Sequence, residues 1–319
     1  MDKETAKRID EHWSKNSTHS LKTRWWEFPA IHEHVNSLVC GRAVDGVSQG
    51  LNHKLKAMGR FFEHGVSVGF GDGSKEFELL KEGLVKKFTL FELSQKRIEL
   101  AGDEAASLGL RDQVTFTNED FYSYKFTDTV DFVHWNNSLH HMLDVECAIK
   151  WSYDILEVGG VFYMDDYVGP NRFQWSDAAL DLCTRIRRTL PYKYLQSPHS
   201  TDRFLDRTVS RPDIQKMEEA DPSEAADSQR ILENVRKYFP KAEITLTGGI
   251  IYHTALNDVL ANIDEFDLTD KAILDLLLII DELATKSGIE SQYAAALAVK
   301  TRKSYSQIVK DKVREFSDW

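Results

Sequence analysis

Between residues 65 and 167, short β-rich runs alternate with amphipathic stretches, and nothing else in the chain restricts its folding choices as much. The runs are GVSVGF (65–70), KFTLFEL (87–93), QVTFTN (113–118), VDFVHW (130–135) and GGVFYMDDY (159–167). Segments 75–82, 95–108 and 146–156 lie between them, with apolar residues at helical spacing. Strands that alternate with helices make a parallel sheet covered on both faces. The handedness of the crossovers then makes an α/β doubly wound sheet.

On either side the pattern differs. Residues 1–58 read as polar and helical, with Trp25, Trp26 and Phe28 clustered before Pro29. After Pro170 the alternation stops, and 171–240 reads as mostly helical with breaks at Pro191, Pro198, Pro212 and Pro222. DPSEA (221–225) has the form of a helix start, since Asp or Ser caps and Pro suits a first turn. A β pattern returns in AEITLTGGIIYHTAL (242–256), where Gly248-Gly249 either joins two strands or marks a bulge. Residues 271–286 form a last helix, capped by Thr269 or Asp270 and closed by Gly288.

Composition narrows the function classes. The charge is 40 − 51 = −11, so a surface that tracks nucleic-acid phosphates is not expected. Cys40, Cys147 and Cys183 stand far apart with no CxxC, which excludes a zinc ribbon and a disulfide framework. The start MDKETAKRIDEHW has no apolar core of a signal peptide, and the apolar run 272–283 is too short for a bilayer and contains Asp275 and Asp281. A cytoplasmic protein without a membrane partner is expected, and a homodimer stays open.

The stretch Val66-Ser67-Val68-Gly69-Phe70-Gly71-Asp72-Gly73-Ser74 follows a strand and opens a helix. Glycines there let the backbone turn sharply and approach a ligand. Glu92 ends the next strand, 92 − 73 = 19 residues past the last glycine, where a carboxylate can accept both hydroxyls of a ribose. The spacing is G-x-G-x-G, not the G-x-G-x-x-G of dinucleotide binders, so an NAD(P)-dependent oxidoreductase is the weaker reading. A non-catalytic cofactor-binding partner protein is a third.

Over residues 60–168 the sequence resembles the class I S-adenosylmethionine-dependent methyltransferases. The resemblance rests on Gly69, Gly71 and Gly73, on Glu92, on Asn118-Glu119-Asp120-Phe121, on Asp131 to Asn136, and on Leu156-Glu157-Val158-Gly159-Gly160-Val161-Phe162. It implies a seven-stranded, mostly parallel Rossmann-like sheet with helical cap segments, and S-adenosylmethionine as cofactor. It also implies that the glycines accommodate the methionine part, Glu92 the ribose, Asp120 and Phe121 the adenine, and that Asn136 lies near the methionine moiety. The family usually carries an acid two residues before the first glycine, where this chain has Ser67. Tyr167 to Trp175, DPSEA and Gly248-Gly249 look like a bacterial branch that tailors small molecules or glycans. The implied layout is an N-terminal helical cap (1–58), a cofactor-binding core (59–169), a helical cap insertion (170–240), a closing β-hairpin (241–257) and C-terminal helices (258–319).

Methyl transfer from a sulfonium needs alignment, plus a base when the acceptor is a hydroxyl. Ligands of open α/β sheets bind outside the carboxyl ends of the strands. That makes His140, as a base, and Asp165 the catalytic candidates, with Asn137, His141 and Asp166 beside them. A histidine pair after a strand also serves as plain helix-start packing. Arg172 is a candidate for a carboxylate on a small-molecule acceptor, which could be amino-acid-like or acidic, with the acceptor atom O, N or S open. Tyr167, Trp175, Arg24 and Trp25 complete the substrate-binding candidates, and Arg172 is equally suited to clasp the cap through Asp165, Asp166 or Asp177. No metal site is expected, because His32-x-His34 and His140-His141 lack carboxylate partners at known spacings.

Overall fold

The computed structural model describes residues 3–15 and 23–302; the outer parts of the first and last segments, 1–2, 16–22 and 303–319, lie outside the described residues. The alternating stretch forms β1 (Gly65–Val68), α4 (Ser74–Lys81), β2 (Phe88–Phe91), α5 (Gln95–Ser107), β3 (Val114–Thr117), β4 (Val130–Asn136), α6 (Val145–Ile155) and β5 (Leu156–Tyr167). Three helices precede it: α1 (Lys3–Lys15), α2 (Pro29–Cys40) and α3 (Gln49–Ala57). After it come α7 (Asp177–Thr189), α8 (Ile214–Ala220), α9 (Ile231–Tyr238), β6 (Glu243–Gly248), α10 (Leu268–Lys286) and β7 (Tyr293–Val299). The seven strands run in the order β3-β2-β1-β4-β5-β7-β6. β1 to β5 are parallel, and β7 is antiparallel to both β5 and β6. One face packs on apolar residues of α3, α4 and α5, the other on α6 and α9. A third cluster, built from α2, α7, α10 and Tyr167, Tyr252 and Tyr293, forms the cap.

The expected closing hairpin within 241–257 does not form. Gly248 and Gly249 both take left-handed conformations, with φ +87° and +109°. The buried carboxylate of Asp281 on α10 accepts the backbone N–H groups of Gly249 and Ile251 at 2.9 and 2.5 Å. Those bonds lead the chain off the sheet into one buried π-helical stretch, Ile250–Ala255. The antiparallel neighbour of β6 comes instead from the C-terminal segment expected to be only helical. β7 reads YAAALAV, and alanine favours helix. All of its residues but Val299 are buried between two strands, where small side chains fit and ladder bonds outweigh local preference.

Two helix starts are also placed differently. DPSEA is a turn after α8: Pro222 stops that helix, Asp221 accepts the Ser223 N–H at 2.8 Å, and Ala225 has φ +46°. α10 begins earlier than expected, because the Asp267 carboxylate accepts the N–H groups of Thr269 and Asp270, each at 2.9 Å. No helix among the described residues is long and apolar enough to cross a membrane.

Candidate functional site

The glycine loop turns from β1 into α4 with φ +67°, +66° and +77° at Gly69, Gly71 and Gly73. The three glycines have different surroundings. A Cβ on Gly73 would lie 2.6 Å from the Phe77 ring, and one on Gly69 would lie 3.0 Å from Ser138. At Gly71 the one neighbour within 4 Å among the described residues is the flexible end of Arg97, at 3.6 Å. Gly71 therefore leaves room for a ligand to lie against the backbone.

Glu92 follows β2 and is 9% exposed. Burial pushes its carboxyl above the usual range, while backbone N–H groups of Ser94, Gly71 and Leu93 and the charge of Arg97 pull it back. Asn118 donates to the carbonyls of Glu92 and Leu93 at 2.8 and 2.7 Å, which ties the end of β3 to the end of β2. Asp120 is exposed, with one oxygen on the Tyr122 N–H at 3.0 Å. Phe121 packs edge-on against Trp151, their ring centres 4.7 Å apart. An open groove of about 550 Å³ along α5, lined in part by Ile98, Arg111, Phe116 and Asn118, takes no residue from the ends of β1, β4 or β5.

A carboxylate does stand beside Ser67, but it comes from α4. The Ser67 hydroxyl donates to Glu76 Oε1 at 2.7 Å, and Nδ1 of His134 on β4 lies 2.8 Å from the same oxygen. Burial raises the Glu76 carboxyl, and His134 and Ser67 more than offset that, holding it below its usual range. Its Oε2 is buried without a hydrogen-bond partner among the described residues.

Asn136 and Asp165 face each other across the β4–β5 ladder. Ser48, at the start of α3, joins them: its hydroxyl donates to Asp165 Oδ2 at 2.7 Å and accepts from the Asn136 amide at 2.8 Å. Asn137 takes φ +49°, and its N–H reaches the Asp165 carbonyl at 2.9 Å. Burial pushes Asp165 up to about 6, despite the Ser48 bond.

On the other side of this pair, Asp166 accepts the backbone N–H groups of Ser138 and Leu139 at 2.9 and 2.8 Å and lies 2.6 Å from His140 Nδ1. His140 Nε2 is 3.5 Å from Glu224. Burial opposes charge on this ring, but the two carboxylates prevail and raise it to about 10. The raised proton affinity favours the charged ring, which weighs against the base role expected of His140. Burial and the neighbouring His140 charge lower His141 to about 4.

The substrate-binding candidates take other places. Arg172 donates to the carbonyls of Glu224 and Pro222, each at 2.8 Å, and its backbone N–H to Ala225. It clasps the 221–225 turn, not Asp165, Asp166 or Asp177; Asp177 pairs with Arg211. Arg24 is held by Asn257 and Asp258. Tyr167, Trp175 and Trp25 are buried in the cap core: Trp175 stacks on Phe173, and Trp25 meets Tyr252 and Tyr293 edgewise or tilted. Ser48, Glu76 and Glu224 were not foreseen. Only Glu224 left a trace in the sequence, inside DPSEA.

Residues 66–164 match the family model of a methyltransferase domain. No curated protein matches the chain. Among solved structures, a geranyl diphosphate methyltransferase in complex with GPP and sinefungin aligns with a TM-score of 0.51 at 13% identity, over 93% of this chain and 100% of that one. Geranyl diphosphate C-methyltransferase from Streptomyces coelicolor A3(2), in complex with Mg2+, geranyl diphosphate and S-adenosyl-L-homocysteine, aligns with 0.50 at 13%, over 93% and 98%. Haemonchus contortus phosphoethanolamine N-methyltransferase 2 aligns with 0.50 at 13% over 92% of this chain, which spans 60% of that longer one. At such identities the likeness is one of fold. A middle glycine left open and a buried carboxylate beside it fit a ribose-bearing ligand, and together with the methyltransferase domain matched over residues 66–164 they support methyl transfer from S-adenosylmethionine.

Proposed function

We propose that the chain methylates a hydroxyl of a small polar acceptor held at the ends of β4 and β5, as in the tailoring of a small molecule or a glycan unit. The observation that carries this reading is Asp165, a buried carboxyl pushed up to about 6 beside Asn136, at the end of the strand where the acceptor must lie. When bound, S-adenosylmethionine supplies a methyl carbon already activated by its sulfonium. Glu92 accepts the ribose hydroxyls, Gly71 gives the close approach, and Asp120 and Phe121 flank the adenine. Asn136, oriented by Ser48, positions the methionine end. Asp165 holds the proton that the acceptor hydroxyl gives up as its oxygen bonds to carbon and the carbon–sulfur bond breaks. Both guanidinium groups proposed for an acidic acceptor are occupied within the protein, so a neutral polyol-like acceptor is favoured.

The cap would exclude water during transfer. Trp13 of α1 sits between Arg97, 4.4 Å from its ring, and His141, whose ring centre is 5.2 Å away. Arg8 of the same helix reaches the carbonyls of Glu218 and Glu219. Incubation with methyl-labelled S-adenosylmethionine and a pool of polar metabolites should yield a labelled O-methyl product. Asp165→Asn should lower kcat about a hundredfold or more without weakening cofactor binding. An undiminished kcat would remove Asp165 from the proton transfer.

A further inference from the structure

Two histidines and a glutamate from separate segments converge where β4 and β5 end. His140 and His141 lie on the turn after β4, and Glu224 belongs to the turn after α8. One ligand atom from each lies within 4.8 Å of the other two.

Both imidazoles are oriented from behind. Asp166, fixed by backbone N–H groups, receives the proton on His140 Nδ1, so Nε2 is turned toward Glu224. His141 Nδ1 lies 3.1 Å from the Ser223 hydroxyl, whose own proton goes to Asp221 at 2.6 Å. That hydroxyl can only accept from His141, which leaves His141 Nε2 as the free ring nitrogen. A carboxylate-backed histidine with Nε2 forward is the support recurrently found behind metal-bound imidazoles. The gap from His140 Nε2 to Glu224 Oε1 is 3.5 Å. Two ligands of a tetrahedral centre with bonds of about 2.1 Å stand about 3.4 Å apart.

A second observation points the same way. Asp221 is 3% exposed, and its Oδ2 lies behind the His141 ring, 3.7 Å from Nδ1, with no hydrogen-bond partner among the described residues. The buried Asp166 and Asp221 and the partly exposed Glu224 thus surround the histidine pair, and a dication would offset their charge.

We propose that His140, His141 and Glu224 form a divalent-metal site of the two-imidazole, one-carboxylate class, which keeps one position open for an oxygen of the acceptor. The donor set suits zinc or cobalt better than magnesium. The metal takes the place of the proton between His140 Nε2 and Glu224. The acceptor role rests on the methyltransferase reading; the metal site itself does not.

Tag-free, chelator-treated full-length protein titrated with Co2+ near neutral pH tests the proposal. One equivalent should bind and give visible d–d absorption bands, which Zn2+ then abolishes. Glu224→Gln should weaken Co2+ binding at least about tenfold with its circular dichroism unchanged, as should His141→Asn. Two variants guard against a misfolded one deciding the matter. Absence of bands up to about 1 mM Co2+ overturns the site, and so does wild-type affinity in both variants. Calorimetry with S-adenosylmethionine on the same preparation keeps the two readings apart. Donor binding without cobalt bands sinks only the metal site. Bands without donor binding sink only the methyltransferase reading.

Discussion

The two halves of the cleft are built in opposite ways. At the ends of β1, β2 and β3, each candidate residue belongs to the strand, loop and helix that carry it: Gly71 lies in the turn before α4, and Glu92 is held by Ser94, two residues on. At the ends of β4 and β5, each residue depends on a distant one. Ser48 reaches Asp165 across 117 residues, and His141 reaches Ser223 across 82. A donor of constant shape can be met by a local motif. An acceptor that differs from one enzyme to the next is met by whatever the cap brings over the sheet. Ser67 departs from this division: it sits in the local half, yet its carboxylate partner Glu76 comes from the next helix and is shared with His134 on β4.

The largest effect is expected at that exception. Ser67→Asp would put a second carboxylate against Glu76, whose Oε2 is buried and has no partner among the described residues. Like charges in a buried site repel, so chemical denaturation should show a loss of about 4 kcal/mol or more. A variant as stable as wild type would mean that the acid can stand on either element.

In the acceptor half, Asp165→Asn should stabilise the protein above pH 6. The folded chain holds the Asp165 proton up to about pH 6, while an ordinary aspartate releases it near 3.8. Stability contributed by this group therefore falls as pH rises through that window, by about 3 kcal/mol at most. Asp281 is also raised to about 6 by burial and works in the same window, so the difference between variant and wild type is what counts. Melting curves from pH 4 to pH 8 that stay parallel for the two proteins would show Asp165 to be ordinary.

In the cofactor half, Glu92→Ala removes the charged acceptor that the proposed donor placement gives to the ribose. Such bonds are worth about 1.5–3 kcal/mol, so calorimetry should find S-adenosylmethionine bound about tenfold to a hundredfold more weakly, with the melting temperature little changed. An unchanged Kd would contradict the donor placement.

The smallest effect is expected for Arg172→Lys. Lysine cannot reproduce two separate bonds to the carbonyls of Pro222 and Glu224, so stability should fall by about 1 kcal/mol while donor affinity holds. A rise in the acceptor KM at constant melting temperature would instead make Arg172 a substrate residue.

The doubly wound core, its strand positions to within a few residues, the glycine loop and Glu92 were all legible in the sequence, because periodicity, glycine conformation and position at a strand end act over a few residues. The last strand was not. Its alanines carry a helical preference, and only two neighbouring strands and burial on both faces make YAAALAV extended. The supposed hairpin failed for the converse reason: Asp281, thirty or more residues away, captures the N–H groups that a second strand would have used. Charge states followed the same division. Sequence placed His140 after β4 and Asp165 near the end of β5, but packing decided that Asp166 and Glu224 raise the proton affinity of His140 and that burial raises that of Asp165. Proton affinity depends on what surrounds a group in three dimensions, and the partners that set it here lie up to 117 residues away along the chain.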